Sequence, residues 1–221
     1  MPSAAVPPLW RPAWDWSGAC AALAAIEPDL RPALALPITP RPARGLFSQL
    51  VRAVCAQQVS VAAADAFEAR LVAACGGDVT ARALLRLGEP DLRAAGLSRA
   101  KAAAVASLAR AGVQGRLRED DLAGADDETV IAHLTTLPGI GRWSAEMGLI
   151  FALQRPDVWP VGDLGLRRAI ALLDRAEAGA PVPTPGAVAA RGRPWSPHRS
   201  TALLALWAWR RAGTPSAPRA E

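Results

Sequence analysis

Apolar residues recur at helical spacing along most of this chain, and this recurrence restricts the fold more than any other property of the sequence. One helical face is predicted where apolar side chains follow the i, i+3, i+4, i+7 pattern, at Phe47, Leu50, Val51 and Val54. No stretch alternates between apolar and polar residues with the period of two that a half-buried β-strand requires. The sequence therefore predicts an all-α protein.

Glycine, proline and capping residues divide this pattern into segments. Gly76 and Gly77 end the helix that carries Phe67 and Leu71, and Asp126 or Asp127 caps a helix that runs to residue 136. The other predicted helices span residues 17–26, 81–87, 91–95, 99–111, 142–153, 164–173 and 200–211. We expect a Pro/Gly-rich loop over 178–197 and an irregular stretch after the first helix.

The composition excludes several classes of protein. The chain has 221 residues, 51% of them hydrophobic and 20% charged, which suits one domain or two packed lobes and argues against broad disorder. No apolar run approaches the roughly 18 to 20 residues that span a bilayer, and the start lacks a basic-then-apolar secretory pattern. We expect a soluble, cytoplasmic protein without membrane partners.

The cysteines and the charge limit the chemistry further. Cys20, Cys55 and Cys75 are scattered and lack metal-ligand spacing, so we expect reduced thiols and no iron–sulfur cluster. The net charge of +5 and the pI of about 10.3 suit a polyanionic partner. Lys101 is the only lysine, however, so the excess of arginine also fits a coding bias.

The most informative segment is Leu-Pro-Gly-Ile-Gly-Arg-Trp-Ser-Ala at residues 137–145, between two helical patterns. Pro138 and the glycines at 139 and 141 stop one helix and permit a tight turn. The next helix then starts with backbone N–H groups that can hold a phosphate without reading base sequence. By itself, this spacing more often marks an ordinary corner between two helices.

A second segment places a carboxylate at a helix start. Asp163 follows Trp-Pro-Val-Gly at residues 159–162 and precedes the helix predicted over 164–173. An aspartate at this position is commonly an N-cap. The same position also fixes a carboxylate in space, so a structural and a catalytic role are compatible.

Taken together, these segments resemble the helix-hairpin-helix/Gly-Pro-Asp (HhH-GPD) DNA glycosylase superfamily, and within it the 3-methyladenine DNA glycosylase II branch. The resemblance runs over residues 47–211. Besides the hairpin and the aspartate loop, it includes Ala-Gln-Gln-Val-Ser at 56–60, Gly-Leu-Ser-Arg-Ala-Lys-Ala at 96–102, and Arg-Ser-Thr-Ala-Leu-Leu-Ala-Leu-Trp at 199–207.

The resemblance implies an all-α fold of two helical lobes with a cleft between them, lacking an N-terminal β-domain. The expected divisions are an N-terminal segment (1–46) that packs with the C-terminal lobe, a central lobe (47–154) with its hairpin at 127–153, a catalytic loop with C-terminal helices (155–212), and a frayed tail (213–221).

The resemblance also implies a repair enzyme that flips alkylated purines, of the 3-methyladenine and 7-methylguanine type, out of duplex DNA and hydrolyses their N-glycosidic bond. Asp163 inherits the catalytic role, because a fixed carboxylate stabilises a cationic sugar and orients water. Trp143, Trp207 and Met147 match the base pocket, where indole faces stack on a cationic base. Without the resemblance, the tryptophans are better explained as core residues.

Other family roles fall on the hairpin and on the loop at 56–60. The resemblance implies DNA contacts at Gly139, Ile140, Gly141, Arg142 and Ser144. An exposed, solvated Arg142 is the alternative for that residue. Gln57 and Gln58 match a loop that inserts into the DNA stack, with Gln58 as the plug, although a polar helix end explains the pair too. In relatives, backbone carbonyls matching Thr135, Leu137 and Ile140 hold a structural Na⁺ or K⁺.

One departure limits the activity. Bifunctional relatives carry a lysine nucleophile in the hairpin, where this chain has Trp143, so we expect no lyase activity. We expect a monomer that acts on double-stranded DNA and requires no cofactor. The alternatives are a glycosylase for another damaged or deaminated base and a non-catalytic helix-hairpin-helix DNA-binding module.

Overall fold

The computed structural model describes residues 9–38, 40–175 and 180–213, and regular secondary structure in these ranges is helical apart from one isolated bridge between Leu9 and Pro42. The predicted all-α class is confirmed. In chain order, the α-helices are α1 (Trp16–Ile26), α2 (Arg31–Leu34), α3 (Leu46–Ala56), α4 (Val61–Ala74), α5 (Ala81–Arg86), α6 (Glu89–Ala94), α7 (Arg99–Val113), α8 (Glu119–Ala123), α9 (Asp127–Thr135), α10 (Arg142–Phe151), α11 (Leu164–Leu173), α12 (Pro185–Gly192) and α13 (Arg199–Arg211).

The predicted loop over 178–197 is wrong in its second half, which contains α12 and a 3₁₀ turn at Arg193–Trp195. Pro185 occupies the first turn of α12, where a missing N–H costs nothing, and the Thr184 hydroxyl accepts the Ala187 N–H at 3.2 Å. Proline therefore starts this helix instead of preventing it. The short helices α2 and α8 were also missed. Of the predicted frayed tail, residues 214–221 lie outside the described residues.

Residues 9–11 and 42–154 form one unit, which begins before the predicted lobe boundary at residue 47. Helix α3 packs on α4, α7 and α10, and α9 packs on α10. These helices bury a common set of side chains, among them Leu50, Val54, Val105, Leu134 and Leu149. Burial of each such side chain contributes about 1.5–3 kcal/mol. This packing fixes both ends of the hairpin between α9 and α10.

Residues 12–38, 40–41, 155–175 and 180–213 belong to a second unit around α13, against which α1, α2 and α11 pack. The indole N–H of Trp14 donates to the Thr201 hydroxyl at 2.9 Å, which links the N-terminal part of the unit to α13. Trp159 and Trp195 meet edge to face, with ring centroids 5.4 Å apart. Across the described ranges, no helix is both long and apolar enough to cross a membrane.

Candidate functional site

The hairpin between α9 and α10 leaves the start of α10 without a capping side chain. Gly141 is the N-cap, with φ −92° and ψ 174°, and no side chain in the described part of the chain accepts a hydrogen bond at this cap. The Ile140 N–H closes the turn by donating to the Leu137 carbonyl at 3.0 Å. Such a helix start presents N–H groups and the positive end of the helix dipole to an anion.

Gly139 is required at the turn of this hairpin for two separate reasons. Its φ of +81° lies in the left-handed region that favours glycine. A Cβ atom added there would also lie 2.3 Å from the Cβ of Ala104 in α7. The sequence pattern indicated the glycine, whereas the close approach of α7 depends on packing that the pattern does not contain.

The predicted insertion loop connects α3 to α4, and its two glutamines differ in their surroundings. The Gln57 side chain donates from Nε2 to the Gly139 carbonyl at 2.9 Å and to the Ser144 hydroxyl at 3.0 Å. Gln58 is exposed and has a φ of +55°. Gln57 therefore joins this loop to the hairpin, while Gln58 projects from it, as a plug would require.

Charged side chains brace the two helices that carry this loop. Arg52 of α3 contacts Asp65 at 2.5 Å and Glu68 at 3.0 Å, both on α4. At the end of α3, Lys101 donates from Nζ to the Cys55 carbonyl at 3.0 Å. Desolvation lowers the pKa of Lys101, whose ammonium group also lies 5.5 Å from the centre of the Phe67 ring.

Arg142, the predicted phosphate contact, is engaged by two carboxylates. Its guanidinium donates to both oxygens of Glu128, at 2.9 and 2.5 Å, and its Nε donates to Glu146 at 3.0 Å. The hydrogen bonds from Arg142 lower the pKa of Glu128. Arg142 is exposed, but its charge is already paired, and no sequence pattern indicated this pairing.

The other hairpin residues lie on α10 or next to it. Trp143 is half-buried, whereas Met147 retains 3% of its accessible surface and belongs to the core of its unit. Ser144 is also buried and accepts the hydrogen bond from Gln57. The pocket role of Trp143 and Met147 stays a prediction.

In the second unit, Asp163 is the N-cap of α11. Its Oδ1 accepts the Leu166 N–H at 2.5 Å and the indole N–H of Trp207 at 3.0 Å. The Asp163 N–H donates to the Pro160 carbonyl at 2.8 Å, which closes the turn before the helix. The carboxylate is half-exposed and oriented by two donors. Trp207, predicted to stack on a base, also orients this carboxylate.

Gly165 is part of this arrangement, although no sequence pattern indicated a role for it. A Cβ atom at this position would lie 3.0 Å from Asp163 Oδ1 and 3.3 Å from Trp207 Nε1. Either distance is tighter than ordinary van der Waals contact. The absent side chain lets the carboxylate and the indole meet. The Asp-Leu-Gly spacing is visible in the sequence, but its partner on α13 is not.

Helix α13 also anchors the start of the loop that leads to Asp163. Arg199 donates from Nε and Nη2 to the two oxygens of Asp157, each at 2.7 Å, and Ser196 donates to Oδ2 at 2.7 Å. Burial opposes ionisation of Asp157, but the hydrogen bonds from Arg199 and Ser196 outweigh it and lower its pKa. The Ser200 hydroxyl accepts the Val158 N–H at 2.9 Å. These contacts explain why residues 199–207 accompany the aspartate loop.

Backbone oxygens at the hairpin are the candidate ligands for the predicted monovalent ion. No group of three or more His, Cys, Asp or Glu side chains could hold a metal within the described ranges. Thr135 and Leu137 lie at the C-terminal end of α9, where the helix dipole favours a cation. The Leu137 carbonyl accepts one hydrogen bond, from Ile140, and an oxygen of this kind has two lone pairs. This donor set fits a monovalent cation.

Comparison with known families gives one match over most of the chain. The model described as "HhH-GPD superfamily base excision DNA repair protein" matches residues 51–197. This range contains the Gln57 loop, the hairpin and Asp163.

Individual relatives agree with this match. The chain is 32% identical to DNA-3-methyladenine glycosylase 1 of Schizosaccharomyces pombe, over 73% of this chain and 71% of that protein. It is 30% identical to DNA-3-methyladenine glycosylase 2 of Escherichia coli over 73% of this chain, but spans only 56% of that protein. The solved structure of the S. pombe 3-methyladenine DNA glycosylase in complex with abasic DNA is similar, with a TM-score of 0.81 at 28% identity. The similarity covers 88% of this chain and 97% of that chain.

Proposed function

The chain belongs to the HhH-GPD superfamily of base excision DNA repair proteins, and we propose that it is a DNA glycosylase that flips alkylated purines out of duplex DNA and hydrolyses their N-glycosidic bond. The names of its relatives, several of them 3-methyladenine glycosylases, support 3-methyladenine as a base that it removes. We include 7-methylguanine in the proposal because it is also an alkylated, cationic purine. The protein acts as a monomer on double-stranded DNA.

The observation that carries this proposal is the Asp163 carboxylate, held by the Leu166 N–H and the Trp207 indole N–H. Cleavage of the bond between C1′ and the base nitrogen gives the bonding electrons to the base and leaves a cationic sugar. A fixed anion stabilises that cation and orients the water whose oxygen adds to C1′. An alkylated purine already carries positive charge, so it leaves without a strong general acid.

The hairpin supplies the grip on DNA. The uncapped start of α10, with Gly139, Ile140 and Gly141 before it, binds a backbone phosphate through N–H groups. Such binding is independent of base sequence and weakens as salt concentration rises. Gln58 fills the space left in the stack by the flipped base, and the stacking role predicted for Trp143 and Trp207 stays a prediction.

We also propose that the enzyme lacks lyase activity. A lyase needs an amine that attacks C1′, and the hairpin position of the lysine in bifunctional relatives is Trp143 here. The one lysine, Lys101, donates to the Cys55 carbonyl on α3. Borohydride should therefore trap no covalent adduct between the protein and damaged DNA.

A structural Na⁺ or K⁺ bound by the Thr135, Leu137 and Ile140 carbonyls is a further part of the proposal. The ion would fix the backbone of the hairpin turn, and it takes no part in bond cleavage. We expect exchange of K⁺ for a bulky organic cation to weaken DNA binding at constant ionic strength. Unchanged binding would argue against the site.

The experiment that tests the proposal is release of free base from methylated duplex DNA by wild type and by Asp163→Asn. Asparagine caps a helix about as well as aspartate, so α11 should keep its stability while the negative charge is lost. We expect the excision rate to fall at least about a hundredfold, with the abasic strand left uncut until alkali is added. Asp126→Asn, a change at the N-cap of α9, is the matched control and should retain activity.

Two other outcomes would replace the proposal. Release of oxidised or deaminated bases, but not methylated ones, would identify a glycosylase for another lesion. Binding of duplex DNA without release of any base would identify a DNA-binding module.

A further inference from the structure

We propose that Gln57 is a positioning residue that holds the Gln58 loop and the hairpin as one rigid element. Phosphate binding by the hairpin then supports the insertion of Gln58 into the DNA stack. The inference rests on the proposed function, because it concerns how that enzyme opens the DNA stack. It assigns Gln57 a role different from the insertion that the sequence suggested for both glutamines.

The Gln57 amide donates to two acceptors. One is the carbonyl of Gly139, at the turn of the hairpin, and the other is the hydroxyl of Ser144, in the first turn of α10. The two acceptors stand on either side of Gly141, the N-cap of α10. A single side chain therefore spans the helix start that would hold the phosphate.

Gln57 and the adjacent Gln58 differ in their exposure to solvent. Gln57 is half-buried, whereas residues 58–61 are exposed, among them Gln58 with a φ of +55°. A left-handed backbone at a residue other than glycine persists only where its surroundings enforce it. The contacts of Gln57 lie directly before Gln58 and restrain the backbone from that side.

Other contacts brace α3 and α4, the two helices that flank the loop. Arg52 ties α3 to α4 through Asp65 and Glu68, and Lys101 closes the end of α3 at the Cys55 carbonyl. These contacts fix α3 and α4 relative to each other. They do not reach the hairpin, whereas Gln57 does.

Such a connection is needed because flipping a base out of the duplex costs free energy. Extrusion of a paired base costs a few kcal/mol of stacking and pairing, and less when the base is already unpaired. A loop that pushes into the stack transmits an equal force to the rest of the protein. If the loop yields, the base stays in the helix. The hydrogen bonds of Gln57 connect the loop to the hairpin, so that force is opposed by the contact between the hairpin and the DNA phosphate.

The experiment compares Gln57→Met with wild type on two duplexes that each hold one 7-methylguanine. In the first, the damaged base faces cytosine, and in the second it faces an abasic position and is unpaired. Methionine is about as long as glutamine, is neutral and has no N–H to donate, so the variant removes the two hydrogen bonds, adds no charge beside the phosphate site and retains most of the packing. Gln57→Ala is the second variant, and Gln114→Ala, at an exposed glutamine that ends α7, is the control.

We expect single-turnover excision of the paired base to fall at least about tenfold in Gln57→Met, and excision of the unpaired base to fall less than about threefold. The ratio of the two rates comes from one preparation, so a partly unfolded sample does not change it. Affinity for undamaged duplex should stay within about twofold, because the phosphate contacts remain and no charge is added. In Gln58→Ala, excision of the paired base should fall by a similar factor, and the double variant Gln57→Met/Gln58→Ala should be no worse than the poorer single variant.

Three results would overturn the inference: equal losses on both duplexes, no loss on either, or a loss of duplex affinity that matches the loss of rate. Failure of the proposed function is a separate result, in which wild type releases no base from either duplex. Even then, 2-aminopurine next to the target base reports unstacking by its fluorescence. The inference survives only if wild type raises that fluorescence and Gln57→Met does not.

Discussion

Helices α10 and α11 differ in what is available to bind the free backbone N–H groups of their first turns. Both N-cap residues have an extended backbone, with φ −92° and ψ 174° at Gly141 and φ −68° and ψ 118° at Asp163. Asp163 closes its helix with its own carboxylate, which accepts the Leu166 N–H. Gly141 brings no side chain to its helix. One helix start holds an internal anion, and the other is suited to an external one.

Under the proposed function, a single property of the helix serves two steps of one reaction. The partial positive charge at a helix start attracts any anion that reaches it. Where the anion belongs to the protein, the helix fixes a carboxylate for chemistry. Where the anion is a DNA phosphate, the same field provides binding that can be reversed. The identity of one N-cap residue decides between the two uses.

Among variants that leave Asp163 in place, the largest effect at the two helix starts is expected from Gly141→Asp, which would give α10 the same kind of cap as α11. A Cβ atom at Gly141 meets nothing within 4 Å, so the side chain can be accommodated. The new carboxylate would occupy the helix start and repel phosphate, at a cost of about 2 kcal/mol or about thirtyfold in the Kd for duplex DNA. Fluorescence anisotropy at fixed salt measures this change.

Gly141→Asn separates the charge from the cap in that experiment. Asparagine caps as well as aspartate but is neutral, so the loss of affinity should be clearly smaller. Thermal unfolding should be unchanged or slightly improved in both variants. Equal affinity for DNA in Gly141→Asp and wild type would show that phosphate does not bind at this helix start.

A smaller effect is expected from Gly165→Ala, which disturbs the closed helix start and preserves its charge. The added methyl group would press on Asp163 Oδ1 and Trp207 Nε1 and shift one of them by a few tenths of an ångström. Since small misplacements of catalytic groups are costly, we expect the single-turnover excision rate to fall about tenfold. Alanine favours a helix over glycine by up to about 1 kcal/mol, so unfolding should not become easier.

Gly186→Ala is the matched control for this change. Gly186 occupies the second position of α12, as Gly165 does in α11, but its added Cβ would only approach the Thr184 hydroxyl at 3.9 Å. We expect full activity in this variant. Full activity in Gly165→Ala as well would mean that the contact between Asp163 and Trp207 does not matter for excision.

The smallest effect is expected from Glu128→Gln, next to the open helix start. With two carboxylates around one guanidinium, the cluster of Arg142, Glu128 and Glu146 carries a formal charge of −1. Removal of the exposed carboxylate should release Arg142 toward DNA and tighten binding about threefold at low salt. The salt dependence of the Kd should steepen by about one counterion.

Asp120→Asn changes the net charge of the protein by the same amount at an exposed position of α8, and serves as the control. It should have a weaker effect on DNA binding than Glu128→Gln. Identical effects of the two variants would indicate that only net charge matters and that Arg142 contributes no contact of its own.

Features of the fold that are encoded locally could be predicted from the sequence. Helix α11 begins and ends at the predicted residues, and Asp126 caps α9, since its carboxylate accepts the Thr129 N–H at 2.9 Å. These signals lie within one turn of the element that they define. The loop predicted over 178–197 failed for the opposite reason. Proline and glycine were taken as breakers there, although Thr184 and Pro185 together start α12.

The candidate site divides in the same way. The motif identified Asp163 and the hairpin glycines, because family patterns record residue types at fixed spacing. Contacts across long sequence separations were invisible to it, such as Trp207 on Asp163 and Gln57 on Gly139. The pairing of Arg142 with Glu128 was missed because surface arginines have many potential partners. Side-chain geometry decides these contacts, and a single sequence does not contain it.

The hydrogen bond between the Leu166 N–H and Asp163 turns one backbone amide into a reporter of the carboxylate. Amide hydrogens exchange with solvent when their acceptor moves away, and each opening has its own free energy. The exchange rate at Leu166 therefore measures how often the carboxylate leaves its position, in a sample that contains neither DNA nor substrate. A variant whose Leu166 amide exchanges as slowly as in wild type, but whose excision is slow, has lost something other than the placement of Asp163.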